Sequence, residues 1–163
     1  MSADDFFTTP AFQAVTIGIP FCIFKLLFGR MALIAAEETG GSLPFLVLGR
    51  LVAVWAFADL LMNLGRIYFQ IAGKPSPIEY CTIAQAGRLF NKPRLFLAVD
   101  TFLSFSIICL ALWSGWIVRL SQAESYLWYS ATTMNLLSIS LVNIWIEMRK
   151  GDDGALQAHA GAG

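Results

Sequence analysis

The chain has 163 residues, of which 57% are hydrophobic and only 13% are charged. Soluble domains carry about 25% charged residues, so this composition excludes a soluble globular protein. The formal net charge is zero, so there is no overall basic field of the kind that attracts nucleic acid, and we exclude nucleic acid as a partner.

The hydrophobic residues fall into four long runs, and a transmembrane helix needs about 20 apolar residues. We therefore predict an all-α polytopic membrane protein with four transmembrane helices and a short cytoplasmic amphipathic helix between the second and third. Residues 1–150 are predicted to form the single transmembrane domain. Residues 151–163 are rich in alanine and glycine, and we expect them to form a disordered tail.

The first run covers about residues 11–36 and contains a lysine, Lys25. Pro20 is expected to kink this helix close to the lysine. Small residues surround Lys25 at helical spacing and let two helix backbones approach closely; this face consists of Gly18, Cys22, Lys25 and Gly29. The first helix is therefore predicted to present Lys25 to a neighbouring helix.

The second run covers about residues 43–72 and carries a polar stripe. Its members follow at i, i+4, i+7 and i+11, so they share one helix face; they are Asp59, Asn63, Arg66 and Gln70. Lipid tolerates such groups poorly, so the stripe is predicted to face the interior of a bundle. For Arg66, a side chain that simply extends to the membrane interface is the alternative.

A basic segment follows the second run. Ser76, Pro77 and Glu79 have the form of a capping box with proline at the first helical position, which predicts a helix over about residues 77–90. Three basic residues in and after it are predicted to bind lipid headgroups or a partner protein; they are Arg88, Lys92 and Arg94. The alternative is an ordered loop helix packed on the bundle.

The third and fourth runs cover about residues 95–120 and 125–148. Asp100 and Ser104 share a face of the third helix. Three polar residues share a face of the fourth, and we expect that face to point into the bundle as well; they are Ser140, Asn143 and Glu147. For Glu147, a solvated helix end is the alternative.

Lysine and arginine residues outside the runs indicate the orientation. They concentrate on the side of the two termini and of the connection between runs two and three; they are Lys74, Arg88, Lys92, Arg94, Arg149 and Lys150. Cytoplasmic loops are enriched in such residues. Both termini are therefore predicted to be cytoplasmic, and the compartment is predicted to be a bacterial inner membrane.

Asp59 and Asp100 are predicted to lie at similar depth, and Lys25 can reach either of them through its flexible stem. Two interpretations of this cluster remain open. In one, the charges neutralise each other and fix which helices are neighbours. In the other, the carboxylates form a proton- or ion-responsive site.

No catalytic, metal-binding or cofactor-binding motif occurs in the chain. The single histidine, His159, lies in the predicted tail, and the three cysteines lack the CxxC spacing of metal and redox sites. We therefore expect no enzyme activity and no cofactor.

The first functional hypothesis is a non-catalytic integral membrane subunit that binds or stabilises other subunits, or associates with itself, within the lipid bilayer. The alternative is a small oligomeric transporter or channel that uses Asp59 and Asp100 with Lys25.

Overall fold

A computed structural model describes residues 9–160, with the side chains of residues 9–145, 147 and 148. Within this part of the chain every regular element is helical, which confirms the all-α class. The helices are α1 (Pro10–Glu38), α2 (Leu43–Ile71), α3 (Thr82–Gly87), α4 (Pro93–Trp113) and α5 (Gln122–Ala160). Short 3₁₀ turns, Arg88–Phe90 and Trp116–Arg119, follow α3 and α4.

Three helices, α1, α2 and α4, are long and apolar enough to cross a membrane. The shortest of them, α4, has 21 residues and is about 32 Å long, which matches the hydrocarbon thickness of a bilayer. Four such helices were predicted, and three of the described helices meet this criterion of length and composition. Helix α5 has 39 residues, but serines, threonines and Asn135 lower its hydropathy below that of a typical span.

Helix α1 is the central element of the bundle, since α2, α4 and α5 all pack against it. In its most apolar stretch 56% of the residues are buried, whereas the corresponding share is 22% in both α2 and α4. Helices α2 and α4 therefore keep most of their apolar surface on the outside, as lipid-facing helices do.

An apolar core fills the half of the bundle toward the end of α1. The ring of Phe24 meets that of Trp128 edge to face at 5.0 Å, and Phe28 stacks on Trp116 at 5.8 Å between centroids. Aromatic pairs of these geometries add about 0.5–1.5 kcal/mol beyond their buried area. Because Trp128 is inserted next to Phe24, it fixes which face of α5 points inward.

Helices α1 and α2 touch through their backbones at two glycines. A Cβ atom on Gly29 would lie 2.9 Å from the carbonyl oxygen of Gly49, and one on Gly49 would lie 2.8 Å from that of Gly29. Neither position has room for a larger side chain. This close approach is the structural reason for the small residues on the Lys25 face of α1.

The start of α1 contains a π-helical turn over Ala14–Gly18, in which Ile19 donates its backbone N–H to the carbonyl of Ala14. Pro20 follows directly and has no N–H to donate, so the regular hydrogen-bond pattern is interrupted here. The kink predicted at this proline thus takes the form of a widened turn. At its end, Gly18 lies against the side chain of Asn63, which occupies the place of a Cβ.

Helix α3 begins later than predicted and is only six residues long. Its N-cap is Cys81, whose sulfur accepts a hydrogen bond from the N–H of Ala84 at 3.4 Å. The hydroxyl of Ser76, predicted to cap the helix, instead bonds locally to Ile78 at 3.2 Å. The predicted helix over residues 77–90 is therefore corrected to Thr82–Gly87 followed by a 3₁₀ turn, because Ser76 closes a turn of its own.

Residues 151–160 continue α5 as a helix, where the sequence predicted the start of a disordered tail. Residues 1–8 and 161–163 lie outside the described residues.

Candidate functional site

The centre of the bundle holds a buried ionic cluster of three residues from three helices. The ammonium of Lys25 on α1 lies 2.7 Å from Oδ2 of Asp59 on α2 and 2.8 Å from Oδ1 of Asp100 on α4. At most 6% of each side chain is exposed. The sequence predicted a pair of Lys25 with one carboxylate or the other, and the structure has both pairs at once.

An aromatic ring encloses the ammonium from a further side. The Nζ atom of Lys25 lies 3.9 Å from the centroid of the Trp55 ring, one helical turn before Asp59 on α2. A cation over an indole face is attracted by the negative charge density of the ring, and the attraction grows when water is excluded. Lys25 is therefore held by two carboxylates and one indole.

The second oxygen of Asp59 binds the connection between α2 and α4. Oδ1 accepts hydrogen bonds from the backbone N–H and from the hydroxyl of Thr82, both at 2.7 Å. Asp59 lies 12 residues before the end of α2 at Ile71, which is about 18 Å along the helix. The connection thus folds back deep into the bundle instead of lying at its end.

Cys81 lies next to the second carboxylate of the cluster, that of Asp100. Its side chain is buried and lies close enough to Asp100 to feel the charge of that carboxylate. Burial, with the nearby negative charge of Asp100 as a smaller cause, raises the pKa of the Cys81 thiol from 9.0 to about 12. Cys81 and Thr82 therefore close the cluster from the side of the loop, and Cys81 stays a neutral thiol at physiological pH.

Asn63 and Ser104 complete the polar interior that the helical spacing predicted. The amide of Asn63 donates to the backbone carbonyl of Asp59 at 2.9 Å, and the hydroxyl of Ser104 donates to that of Asp100 at 2.8 Å. Both side chains are buried. In this way each buried polar side chain is satisfied by the carbonyl four residues earlier on its own helix.

Arg66 is buried as well, with 4% exposure, but it does not contact the cluster. Its guanidinium stacks on the ring of Tyr80, 3.9 Å from the centroid. Among the described residues, no carboxylate lies within ion-pair distance of it. Arg66 does not extend to the surface, so the alternative of a simple interfacial arginine is wrong.

The predicted contribution of Asn143 to the interior is wrong, since this residue is exposed, as are Ser140 and Glu147. The inward face of α5 is centred between Trp128 and Ser138. At 100° per residue, Asn143 lies about 100° around the helix from that centre. The polar residues of α5 that are buried are Asn135 and Ser138. Helical spacing alone identifies residues that share a face, not which face is covered.

The three basic residues assigned to lipid or partner binding lie at the outside of the α3 region. Arg88 donates to the carbonyl of Pro77 at 2.9 Å, and Lys92 and Arg94 are exposed. Beside them Leu89 and Phe90 are 84% and 64% exposed. Buried Ala84 and Gly87 face the bundle, in agreement with the alternative of an ordered loop helix packed on the bundle. Binding of this segment to lipid headgroups or to a partner protein stays a prediction.

A cavity of about 170 Å³ lies beside the ionic cluster. The ionic cluster of Lys25, Asp59 and Asp100 faces this cavity, and Arg66 and Tyr80 also line it. An apolar part of its wall consists of Ile17, Phe21 and Leu97. A cavity of about 150 Å³ is large enough for benzene, so this one has room for a small organic molecule or several waters.

No protein-family model, no curated protein and no solved structure matches this chain. Within the described residues, no group of three or more His, Cys, Asp and Glu side chains is placed to hold a metal ion.

Proposed function

We propose that this protein is a non-catalytic integral membrane component that binds the helices of other membrane proteins or of further copies of itself. The observation that carries the proposal is a row of hydroxyl-bearing residues, interrupted by Leu137, on the outer face of α5, opposite the buried face that contains Trp128. Its members are exposed and follow helical spacing; they are Tyr126, Ser130, Thr133 and Ser140.

Hydroxyl groups on a lipid-facing surface gain little from the acyl chains, whereas small polar residues support close contact between two helices. In this proposal a partner helix covers the row, and α5 crosses the membrane as a fourth span. The polar residues that lower its hydropathy then serve contacts between proteins on one face, and contacts with α1 on the other.

The ionic cluster supports the same proposal. The carboxylate of Asp59 accepts hydrogen bonds from the ammonium of Lys25 and from the N–H and hydroxyl groups of Thr82. Both oxygens of Asp59 therefore have hydrogen-bond donors. Such an arrangement holds three helices and a loop in one geometry, as expected of a scaffold. A proton-transfer group, in contrast, needs an exchangeable position.

Copurification tests the proposal. The tagged protein, extracted in a mild detergent, should appear in a complex larger than the monomer, and Thr133→Leu with Ser140→Leu should reduce that association. The control is Ser106→Leu on α4, whose hydroxyl bonds within its own helix to Phe102. A wild-type chain that remains monomeric and copurifies with no protein would overturn the proposal.

The proposed topology places both termini in the cytoplasm, with a bacterial inner membrane as the compartment. Cysteines introduced at Ser42 and Ser121 should be labelled from outside and one at Ser76 from inside. A reporter fused to the C-terminus then tests whether α5 crosses the membrane. A cytoplasmic signal supports four membrane crossings, and an external signal supports only three. The exposed pair Leu89 and Phe90, next to Lys92 and Arg94, would rest on the cytoplasmic leaflet.

A second candidate is a small oligomeric transporter or channel, and the cavity next to Lys25, Asp59 and Asp100 favours it. Reconstituted vesicles would show solute or proton flux that Asp59→Asn or Asp100→Asn abolishes. Flux that is unchanged in both variants would reject the carboxylates as the transport site.

A further inference from the structure

The positive charge of Arg66 is buried in the interior without an ion-pair partner among residues 9–145. Both nearby aspartates are engaged by Lys25. A buried cation is costly unless an anion or several acceptors compensate it, so an arginine in this situation is suited to an anion that is not part of the chain.

The geometry leaves the guanidinium able to bind. Tyr80 covers one of its flat faces, but the five N–H groups of arginine lie in the guanidinium plane and remain directed past the ring. Arg66 also lines the cavity of about 170 Å³. Stacking on Tyr80 restricts the rotation of the side chain, which favours a two-pronged hydrogen bond to the two oxygens of an oxyanion.

Charge selects the type of anion. The cavity is lined by two cationic side chains, Lys25 and Arg66, and two acidic ones, Asp59 and Asp100. Lys25 offsets only one of the two aspartates, so the ionic cluster keeps a net negative charge beside Arg66. A dianion such as a phosphate monoester would be repelled by that charge more strongly than a monoanion in a region of low dielectric constant. A single negative charge is the most that the site accommodates readily.

Shape and polarity define the rest of the ligand. Ile17, Phe21 and Leu97 provide an apolar wall, and the volume is close to that of cavities that bind benzene, about 150 Å³. We propose that the cavity binds a small monocarboxylate with an apolar body, whose carboxylate pairs with Arg66 and whose body lies against this wall. This inference goes beyond the proposed role in binding other membrane proteins and does not depend on it.

Benzoate is the matching probe. Titration of the purified protein in nanodiscs of neutral phosphatidylcholine should show saturable benzoate binding by calorimetry. Benzyl alcohol, of the same shape without charge, and inorganic phosphate should bind at least about tenfold more weakly, because each lacks one of the two recognised features. Absence of saturable benzoate binding by the wild-type chain overturns the proposal.

Two variants locate the site. Arg66→Gln should weaken benzoate binding at least about tenfold, whereas Arg50→Gln, an exposed arginine on the same helix, should leave it unchanged. Leu97→Trp retains Arg66 but fills the cavity, and it should also abolish binding. Equal benzoate affinity in Arg66→Gln and wild type contradicts the proposal; if Arg66→Gln does not fold, unchanged affinity in Leu97→Trp contradicts it equally.

A lipid phosphate is the competing occupant of the same guanidinium. Nanodiscs that contain phosphatidylglycerol distinguish the two sources of negative charge. Benzoate affinity that is independent of phosphatidylglycerol supports the small carboxylate. Competitive loss of benzoate binding as phosphatidylglycerol increases assigns Arg66 to the lipid headgroup and overturns the proposal.

Discussion

The ion pairs of the interior and those near the end of α1 differ in their surroundings far more than in their distances. In the interior, Lys25 pairs with Asp59 and Asp100 at 2.7 and 2.8 Å, with at most 6% of any side chain exposed. Near the end of α1, Arg119 pairs with Glu38 at 3.0 Å, and these side chains are 27% and 51% exposed. Arg30 pairs with Glu124 at the same end.

The comparison shows that burial, not distance, decides what such a pair contributes. Exposed pairs are worth about 0.2–1 kcal/mol, since water solvates the separated charges nearly as well. A buried pair costs much desolvation to form, but removal of one partner leaves a charge that nothing compensates. The interior cluster is therefore expected to be sensitive to single substitutions, and the peripheral pairs tolerant of them.

The largest expected effect follows from Lys25→Met, which leaves Asp59 and Asp100 facing each other in the interior. We expect a loss of about 3–5 kcal/mol in the free energy of unfolding, measured by titration with a denaturing detergent. Arg30→Met is the control and should change it by less than about 1 kcal/mol. Equal stability of the two variants would contradict the assignment of the cluster.

A smaller effect is expected from Thr82→Val, which removes one hydroxyl hydrogen bond to Asp59 and leaves the cluster itself complete. A hydrogen bond to a charged group contributes about 1.5–3 kcal/mol. The loss should be local, so amide hydrogen exchange should accelerate in the segment around α3. Ser106→Ala is the control, and unchanged exchange in Thr82→Val would mean that Asp59 does not anchor the loop.

The contribution of Cys81 to the free energy of unfolding can be recognised by its dependence on pH. Its thiol pKa is raised from 9.0 to about 12 by burial, so the folded chain keeps a proton that the unfolded chain loses. Stability from this group is complete below about pH 9 and declines as the pH rises toward 12, by about 1 kcal/mol at about pH 10.

Cys81→Ser is the matched variant, since serine retains the N-cap and does not titrate in this range. The difference in unfolding free energy between wild type and Cys81→Ser should therefore change between about pH 9 and pH 11. A constant difference over this range would show that Cys81 is not buried as described.

The smallest effect is expected from the peripheral pair of Arg30 and Glu124. Hydrogen bonds from Ser121, with Arg30 as a smaller cause, hold the pKa of Glu124 below its usual range. A double-mutant cycle with Arg30→Gln and Glu124→Gln should give a coupling of about 0.2–1 kcal/mol that decreases with salt. A coupling free energy above about 3 kcal/mol would contradict the expectation that exposed ion pairs contribute much less to stability than the buried ones.

Much of the interior could be predicted from residue spacing. Asp59, Asn63 and Arg66 share a face of α2 because of helical periodicity, and the high cost of charge in lipid directs that face inward. Asn143 was predicted to face the interior and is exposed. Helix α5 carries polar residues on two opposite faces, and helical periodicity does not tell which of the two faces is covered.

The connection between α2 and α4 was the least predictable region. Its capping-box pattern placed a helix at Ser76, but the structure starts the helix at Thr82, where the N–H and hydroxyl of Thr82 find Asp59. Side-chain contacts from a distant part of the chain outweighed the local pattern. Neither Cys81 nor Thr82 carried a signal in the sequence, since both roles depend on how the loop folds back.

The sequence by itself determined the helical class, the position of the three most apolar helices and the set of charged residues that need partners, because these follow from composition and from the 3.6-residue period of a helix. The tertiary structure alone decided that Lys25 binds both aspartates, that the loop enters the bundle to saturate Asp59, and that Arg66 faces a cavity. These outcomes depend on distances between segments far apart in the chain, which no local pattern specifies.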